Sequence, residues 1–245
     1  MRIIMKTLVV IPARYGSTRL PAKVLLKASG KYLMQHTYEQ ILKCRLVDRI
    51  IIATDDRRVF KAGKEFGAEV RMTSKRHTCG TERMAQVARH LDCQYVINVQ
   101  ADEPQIDPKS VDQVIAILRR NKNVDIATLA APIEPKDLTD PNKVKVILGR
   151  NNLAVGFRRT LANAECELRN VEVYRHIGIY GYRKNALLRF VKLPQTESEK
   201  SLRLEQLRAL ENGFRIKVAL INQAFYGIDT PADYKAFLKR IKNTG

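Results

Sequence analysis

Short apolar runs alternate with stretches in which apolar residues recur every three or four positions, the pattern of buried strands separated by amphipathic helices. The run at 8–13 ends in a Gly/Ser/Pro segment, as a buried parallel strand and its exit loop do. Helical spacing over 34–44 precedes a second strand at 49–54 (RIIIAT), which stops at Asp55 and Asp56. The stretch 57–66 reads as a helix ended by Gly67, and Val70 marks a short strand. Over 81–91, Met84, Val87, Ala88 and Leu91 share one helical face. A third strong strand at 95–99 (YVINV) runs directly into Gln100-Ala101-Asp102-Glu103-Pro104. A helix at 109–120 buries Val111, Val114, Ile115 and Leu118, and a strand returns at 125–132.

The rhythm then changes. KVKVIL, GRNN and LAVGF, between 142 and 157, form a hairpin signature. A strand at 174–183, a helix at 184–191, one long helix at 197–212 closed by Gly213, a strand at 215–221 and a final helix at 231–241 complete the chain. Repeated strand–helix–strand order predicts an α/β fold. Its mostly parallel, Rossmann-like nucleotide-binding sheet is flanked by helices and carries a smaller inserted mixed β lobe. No linker composition interrupts the 245 residues, so one domain is expected, with the β-rich lobe at about 142–183.

Composition narrows the function. With 45% hydrophobic and 28% charged residues the chain can fill a core, and disorder is not expected. No apolar stretch approaches the ~20 residues of a membrane span, and Pro12 cuts the start, MRIIMKTLVVIPAR, too early for a signal peptide. Cys44, Cys79, Cys93 and Cys166 lack metal-site spacing, which argues against zinc and for inert thiols in a reducing cytoplasm. The net charge of +19 raises the question of nucleic acid. Lys and Arg are spread evenly, however, 12, 10, 9 and 13 in the segments cut at 60, 120 and 180, without a basic arm or a nucleic-acid module. A small anionic substrate, or simply a solvated surface, accounts for the charge better.

Two segments carry candidate chemistry. The exit of the first strand, Pro12-Ala13-Arg14-Tyr15-Gly16-Ser17-Thr18-Arg19-Leu20-Pro21-Ala22-Lys23, can turn backbone N–H groups and three cations, Arg14, Arg19 and Lys23, toward phosphate oxygens. It is neither GxxxxGK[ST] nor GxGxxG, which weakens the ATPase and dehydrogenase readings; a solvated turn with incidental charges fits the same composition. At the end of the central strand, Asp102 is suited to hold Mg²⁺, with Asp229 of Gly227-Ile228-Asp229-Thr230-Pro231 as a partner. By residue type alone each Asp reads more readily as a helix cap or turn residue, since Asp229 directly precedes Thr230-Pro231.

IPARYGSTRLPAK, HTCGTERMAQV, NVQADEP, ATLAAPI, HIGIYGYR, LEQLRALE and GIDTP, in this order, resemble the 3-deoxy-manno-octulosonate (Kdo) cytidylyltransferase family. The opening block is shared with sialic-acid cytidylyltransferases, and HIGIYGYR followed by LEQLR favours the Kdo branch. The resemblance implies Mg²⁺-dependent transfer of CMP from CTP to the anomeric hydroxyl of an acidic eight-carbon sugar, with release of pyrophosphate, for lipopolysaccharide synthesis. It also implies a homodimer, with no nucleic acid or membrane partner. By the same resemblance Arg14, Lys23, Asp102 and Asp229 are catalytic, and Asp102 and Asp229 hold the metal. Ser17, Arg19, Gly80 and Arg83 join Arg14 and Lys23 on the nucleotide, and Gln100, Arg159, His176, Tyr180, Glu205 and Gln206 line the sugar pocket. On composition alone, His176 would be a satisfied core residue, and Glu205 and Gln206 exposed helix residues.

The chain departs from the family pattern at several places. Ala22 and Ala101 replace glycines, and Cys79 replaces a serine. Val155-Gly156-Phe157-Arg158-Arg159 stands where Leu-Tyr-Phe-Ser-Arg is usual, the stretch from there to His176 is shorter, and Leu161-Ala162 replaces an Ile-Pro segment. A modified Kdo-like or sialic-type acid sugar is therefore an alternative acceptor, and a non-catalytic basic nucleotide- or RNA-binding module an alternative class.

Overall fold

The computed structural model describes residues 6–17, 19–161, 172–222, 224–225 and 227–242. Thr18, Cys166 and Ala162, named above, lie outside them. The chain folds as two compact units, residues 1–112 with 225–245, and residues 113–224.

The first unit is a parallel sheet in the order β3-β2-β1-β4. Its strands are β1 (Thr7–Pro12), β2 (Arg49–Thr54), β3 (Val70–Met72) and β4 (Tyr95–Asn98). All six residues of β1 are buried, and sequestering each aliphatic side chain stabilises the fold by about 1.5–3 kcal/mol. Val10 pairs with Ile51 on one side and Asn98 on the other, and Ala13 N–H extends the ladder to Ala53 O (2.8 Å). Because the strands are parallel, the segments that follow β1, β2 and β4 leave by one edge. Flanking this sheet are α1 (Leu33–Ile41), α2 (Arg57–Glu65) and α3 (Gly80–Arg89), with α4 (Pro108–Arg120) following. Asp56 caps α2 by accepting from Arg58 N–H (2.8 Å), and Gly67 beyond its end takes φ +81°.

The second unit centres on β5 (Ile126–Ala131), antiparallel to β8 (Glu172–Arg183) and parallel to β9 (Ile216–Leu220). The predicted hairpin is present as β6 (Lys145–Leu148) against β7 (Ala154–Arg158), and β6 also pairs with β8. Asn151 and Asn152 at its turn adopt φ of 58° and 55°, the left-handed region Asn tolerates. A register shift opposite Thr128 leaves Gly178 and Ile179 as extra residues on β8. The Thr128 hydroxyl fills the gap, donating to Ile179 O (2.7 Å) and lying 3.0 Å from His176 Nε2. With the hydroxyl proton on Ile179 O, the imidazole Nε2–H donates to Thr128. An edge contact with Phe157 and a tilted one with Tyr180 complete its surroundings (ring centroids 5.2 and 5.3 Å).

The long helix expected at 197–212 is two helices, α6 (Glu197–Leu202) and α7 (Glu205–Glu211). Arg203 breaks it with φ 52°, and Leu204 is extended. The cause is tertiary. Arg159 Nε and Nη2 donate to the carbonyls of Leu202 (2.5 Å) and Arg203 (3.1 Å), holding open an end that an uninterrupted helix would close. Buried Arg208 ties the two pieces together, with Nε 3.1 Å from Glu199 Oε2 and Nη2 3.1 Å from Glu205 Oε1. The remaining helices are α5 (Lys184–Phe190), in this unit, and α8 (Pro231–Lys242), in the first.

Burial drives the His176 imidazole down to about 3, so it is neutral in the folded protein and titrates normally when unfolded. A depressed folded pKa contributes stability that is present above about pH 6.5 and lost as pH falls toward the folded value. Urea unfolding between pH 7 and pH 5 should therefore show a stability loss, its slope from this group at most about 1.4 kcal/mol per pH unit. His176→Gln should remove that component, and an identical slope in the variant would contradict the assignment.

Candidate active site

At the common edge of the β1, β2 and β4 ends, the chain brings together residues far apart in sequence. After β1 the loop reaches Lys23, the first residue of a 3-10 turn (Lys23–Leu25). After β4 comes Asp102, whose backbone carbonyl accepts from Ile228 N–H (2.8 Å). Ile228 is in turn buried against Leu33 of α1 and Phe237 of α8. That apolar anchor fixes Asp229 beside Asp102.

The Lys23 ammonium closes the cluster. It donates to Asp102 Oδ2, to Asp229 Oδ1 (2.9 Å) and to the Ile228 carbonyl (3.0 Å). Its side chain is only 13% exposed. Burial disfavours the charge, but the two carboxylates outweigh it and the pKa rises above 10.5. Arg19 Nη2 adds a more exposed contact to Asp229 Oδ2 (3.0 Å), of the kind worth at most about 1 kcal/mol.

Asp229 is not the helix cap that its position before Thr230-Pro231 allowed. The cap of α8 is Thr230, whose hydroxyl accepts from Asp233 N–H (3.2 Å), while the Asp233 carboxylate accepts from the N–H groups of Asp229 (3.1 Å) and Thr230 (2.8 Å). Asp233 thus relieves Asp229 of the capping task and leaves its carboxylate to the cation. Glu103, which sequence reasoning passed over, completes the acidic set. Its Oε2 is buried with no hydrogen-bond partner among the described residues. Burial first, then the neighbouring Asp102 and Asp229 charges, push its pKa up to about 8, so it holds a proton at neutral pH. The signal available was its place directly after Asp102.

A cavity of ≈ 500 Å³ lies in the same unit, lined among others by Arg14, Gly16, Gly80, Arg83 and Gln100. Arg14 is exposed and pairs with no carboxylate among the described residues. Ser17 is half-buried in the same loop, which Tyr15 fastens to α2 by stacking under the Arg58 guanidinium (3.3 Å to the ring centroid). Gly80 opens α3 against Pro12 and Gln100. A Cβ there would sit 3.1 Å from Pro12 Cγ, so only glycine allows this approach without displacement. Arg83 lies on the wall with its charge already engaged: Nη2 donates to Asp55 Oδ2 (2.8 Å) and Nη1 to the Thr73 hydroxyl. Asp55 was legible only as the stop of a strand. Gln100 donates to Asn98 Oδ1 (3.2 Å).

The other predicted residues belong to the second unit. Gln206 is buried at 8% and Glu205 is half-buried against Arg208, so neither is an ordinary exposed helix residue. Tyr180 is half-buried, and desolvation followed by the Glu205 charge raises its phenol well above 10. Arg159 spends three N–H donors on the carbonyls of Pro141, Leu202 and Arg203, a structural bracket that its place in the sequence did not reveal.

A parallel sheet whose carboxyl edge offers a cationic loop, two convergent carboxylates and a glycine-opened cavity has the form of an α/β nucleotidyltransferase. The comparisons sharpen this. The family profile described as cytidylyltransferase matches residues 8–217. The 3-deoxy-manno-octulosonate cytidylyltransferase of Geotalea daltonii is 40% identical, covering 98% of this chain and all of the relative. That of Rhodopirellula baltica is 42% identical over the same shares. A solved structure of CMP:2-keto-3-deoxy-manno-octonic acid synthetase complexed with CTP superposes with a TM-score of 0.91 at 35% identity, covering 98% of this chain and 100% of that one. The chain belongs to the 3-deoxy-manno-octulosonate cytidylyltransferase family.

The departures from the family pattern acquire physical meaning. Ala101 has no positive φ and is buried without penalty, whereas Ala22 takes φ 53°, ψ 27°, immediately before Lys23. A residue with a Cβ costs about 1–2 kcal/mol in that region. Ala22→Gly should therefore raise unfolding stability by roughly 0.5–1.5 kcal/mol, read by urea denaturation. A loss of stability in that variant would contradict the strain.

Proposed function

We propose that the chain transfers CMP from CTP to the anomeric hydroxyl of Kdo. The hydroxyl oxygen bonds to the α-phosphorus, the bond from that phosphorus to the bridging oxygen breaks, pyrophosphate leaves and the hydroxyl proton passes to solvent. The single observation that carries the reading is the convergence of Lys23, Asp102 and Asp229 on one point, in the same unit as the cavity that Arg14 and Gly80 line. Relatives at 40–42% identity over nearly the full chain support the choice of sugar.

In this reading Arg14, Ser17, Arg19 and Lys23 bind the triphosphate, and the cations offset the charge that grows on the departing pyrophosphate. Gly80 and Arg83 hold the nucleoside end. Asp102 and Asp229 hold Mg²⁺. The donor set fits: both carboxylates already point oxygen at one cation, and two carboxylates with phosphate oxygens are the ligands Mg²⁺ uses. When bound, that ion polarises the α-phosphate and reduces its repulsion of the incoming oxygen. Gln100, Arg159, His176, Tyr180, Glu205 and Gln206 recognise the sugar. The whole chain acts as one transferase domain of a cytoplasmic homodimer serving lipopolysaccharide synthesis, with residues 142–183 providing sugar and subunit contacts.

Pyrophosphate release with CTP, Mg²⁺ and a panel of acid sugars tests this. Kdo-dependent release is expected. Release only with another acid sugar would replace the acceptor, and salt-sensitive RNA binding without turnover would replace the class. Asp102→Asn should lower kcat by at least about 100-fold, the scale of losing one charge-stabilising group in a nucleotidyl transfer. Near-normal turnover at limiting Mg²⁺ would remove Asp102 from its role.

A further inference from the structure

Lys23 occupies the position a metal ion would need. Its ammonium sits where the Asp102 and Asp229 carboxylates converge, with the Ile228 carbonyl as a third acceptor. Mg²⁺ held by the same two carboxylates would draw on the oxygens that now meet the ammonium. Two cations drawing on the same oxygens repel strongly. Lys23 and a divalent ion are thus alternatives at this point rather than neighbours. The pair is no fluctuating surface contact, since Lys23 is 13% and Asp102 23% exposed.

We propose that Lys23 is a resident cation surrogate. In the nucleotide-free protein it holds Asp102 and Asp229 together and blocks the metal position. It yields the carboxylates only when a triphosphate arrives to take up its ammonium, so metal and nucleotide enter together and metal does not enter first. This deepens the nucleotidyltransferase reading and rests on it, since it needs a polyanion to draw Lys23 away.

The test is Mn²⁺ binding to the full-length, nucleotide-free protein, followed by electron paramagnetic resonance of the free ion. Lys23→Met should bind Mn²⁺ about tenfold or more tightly than the wild type, within the range by which neighbours of a metal site alter affinity. Asp102→Asn in that background should abolish the gain. Equal or weaker binding by Lys23→Met would overturn the proposal, as would a gain that survives Asp102→Asn. Should Lys23→Met fail to fold, Lys23→Gln carries the same comparison, because it removes the charge and keeps a polar, hydrogen-bonding side chain. The titration contains neither CTP nor sugar. An absence of CTP turnover would therefore refute the functional reading while leaving the competition at Lys23 to be judged by the metal data.

Discussion

One buried ammonium organises the first unit. Lys23 gathers a loop after β1, a loop after β4 and the segment before α8, which lie 79 and 206 residues from it in sequence. Without that charge, Asp102 loses its ammonium partner and Asp229 keeps only the exposed Arg19 contact (3.0 Å). Leaving the partly buried Asp102 without its cation is destabilising. The cluster is therefore a condition of the local fold, and neighbouring devices order its surroundings.

Those devices act at successive levels. Ile228 fixes the chain sterically, between α1 and α8, and electrostatically its carbonyl gives Lys23 a third acceptor. Asp233 caps α8 so that Asp229 need not. Ala22 accepts a left-handed backbone so that Lys23 can start its turn in the right place. Tyr15 under Arg58 pins the loop after β1 to α2. In the cavity wall, Gly80 gives up its Cβ so that α3 can approach Pro12 and Gln100. None of these residues needs to touch a reacting atom, yet each limits where one could sit.

Most of the architecture was legible in the order of apolar runs. The parallel strands, the hairpin around Asn151 and the terminal helix fall within a few residues of where periodicity puts them, because each depends on local spacing and burial. The break at Arg203 was not legible: its cause, Arg159, lies over forty residues away and acts on backbone carbonyls. The same limit governs the site. Asp102 and Lys23 stand out as residue types at strand ends, but whether Asp229 caps a helix or meets a cation is decided by Asp233 four residues later. Arg83 reads as a free cation until Asp55, on another strand's exit, neutralises it. The residues proposed for the sugar came from the family resemblance; no periodicity marks Gln206 as buried and Glu205 as held by an arginine.

The dependence on Lys23 can be measured directly as a coupling energy. A double-mutant cycle of Lys23→Met and Asp102→Asn, read by urea unfolding without metal or nucleotide, isolates the interaction from the effect of each substitution. A favourable coupling of about 1–3 kcal/mol is predicted for a partly buried charged pair in contact. Additive effects, with coupling indistinguishable from zero, would contradict the central place given to this ammonium.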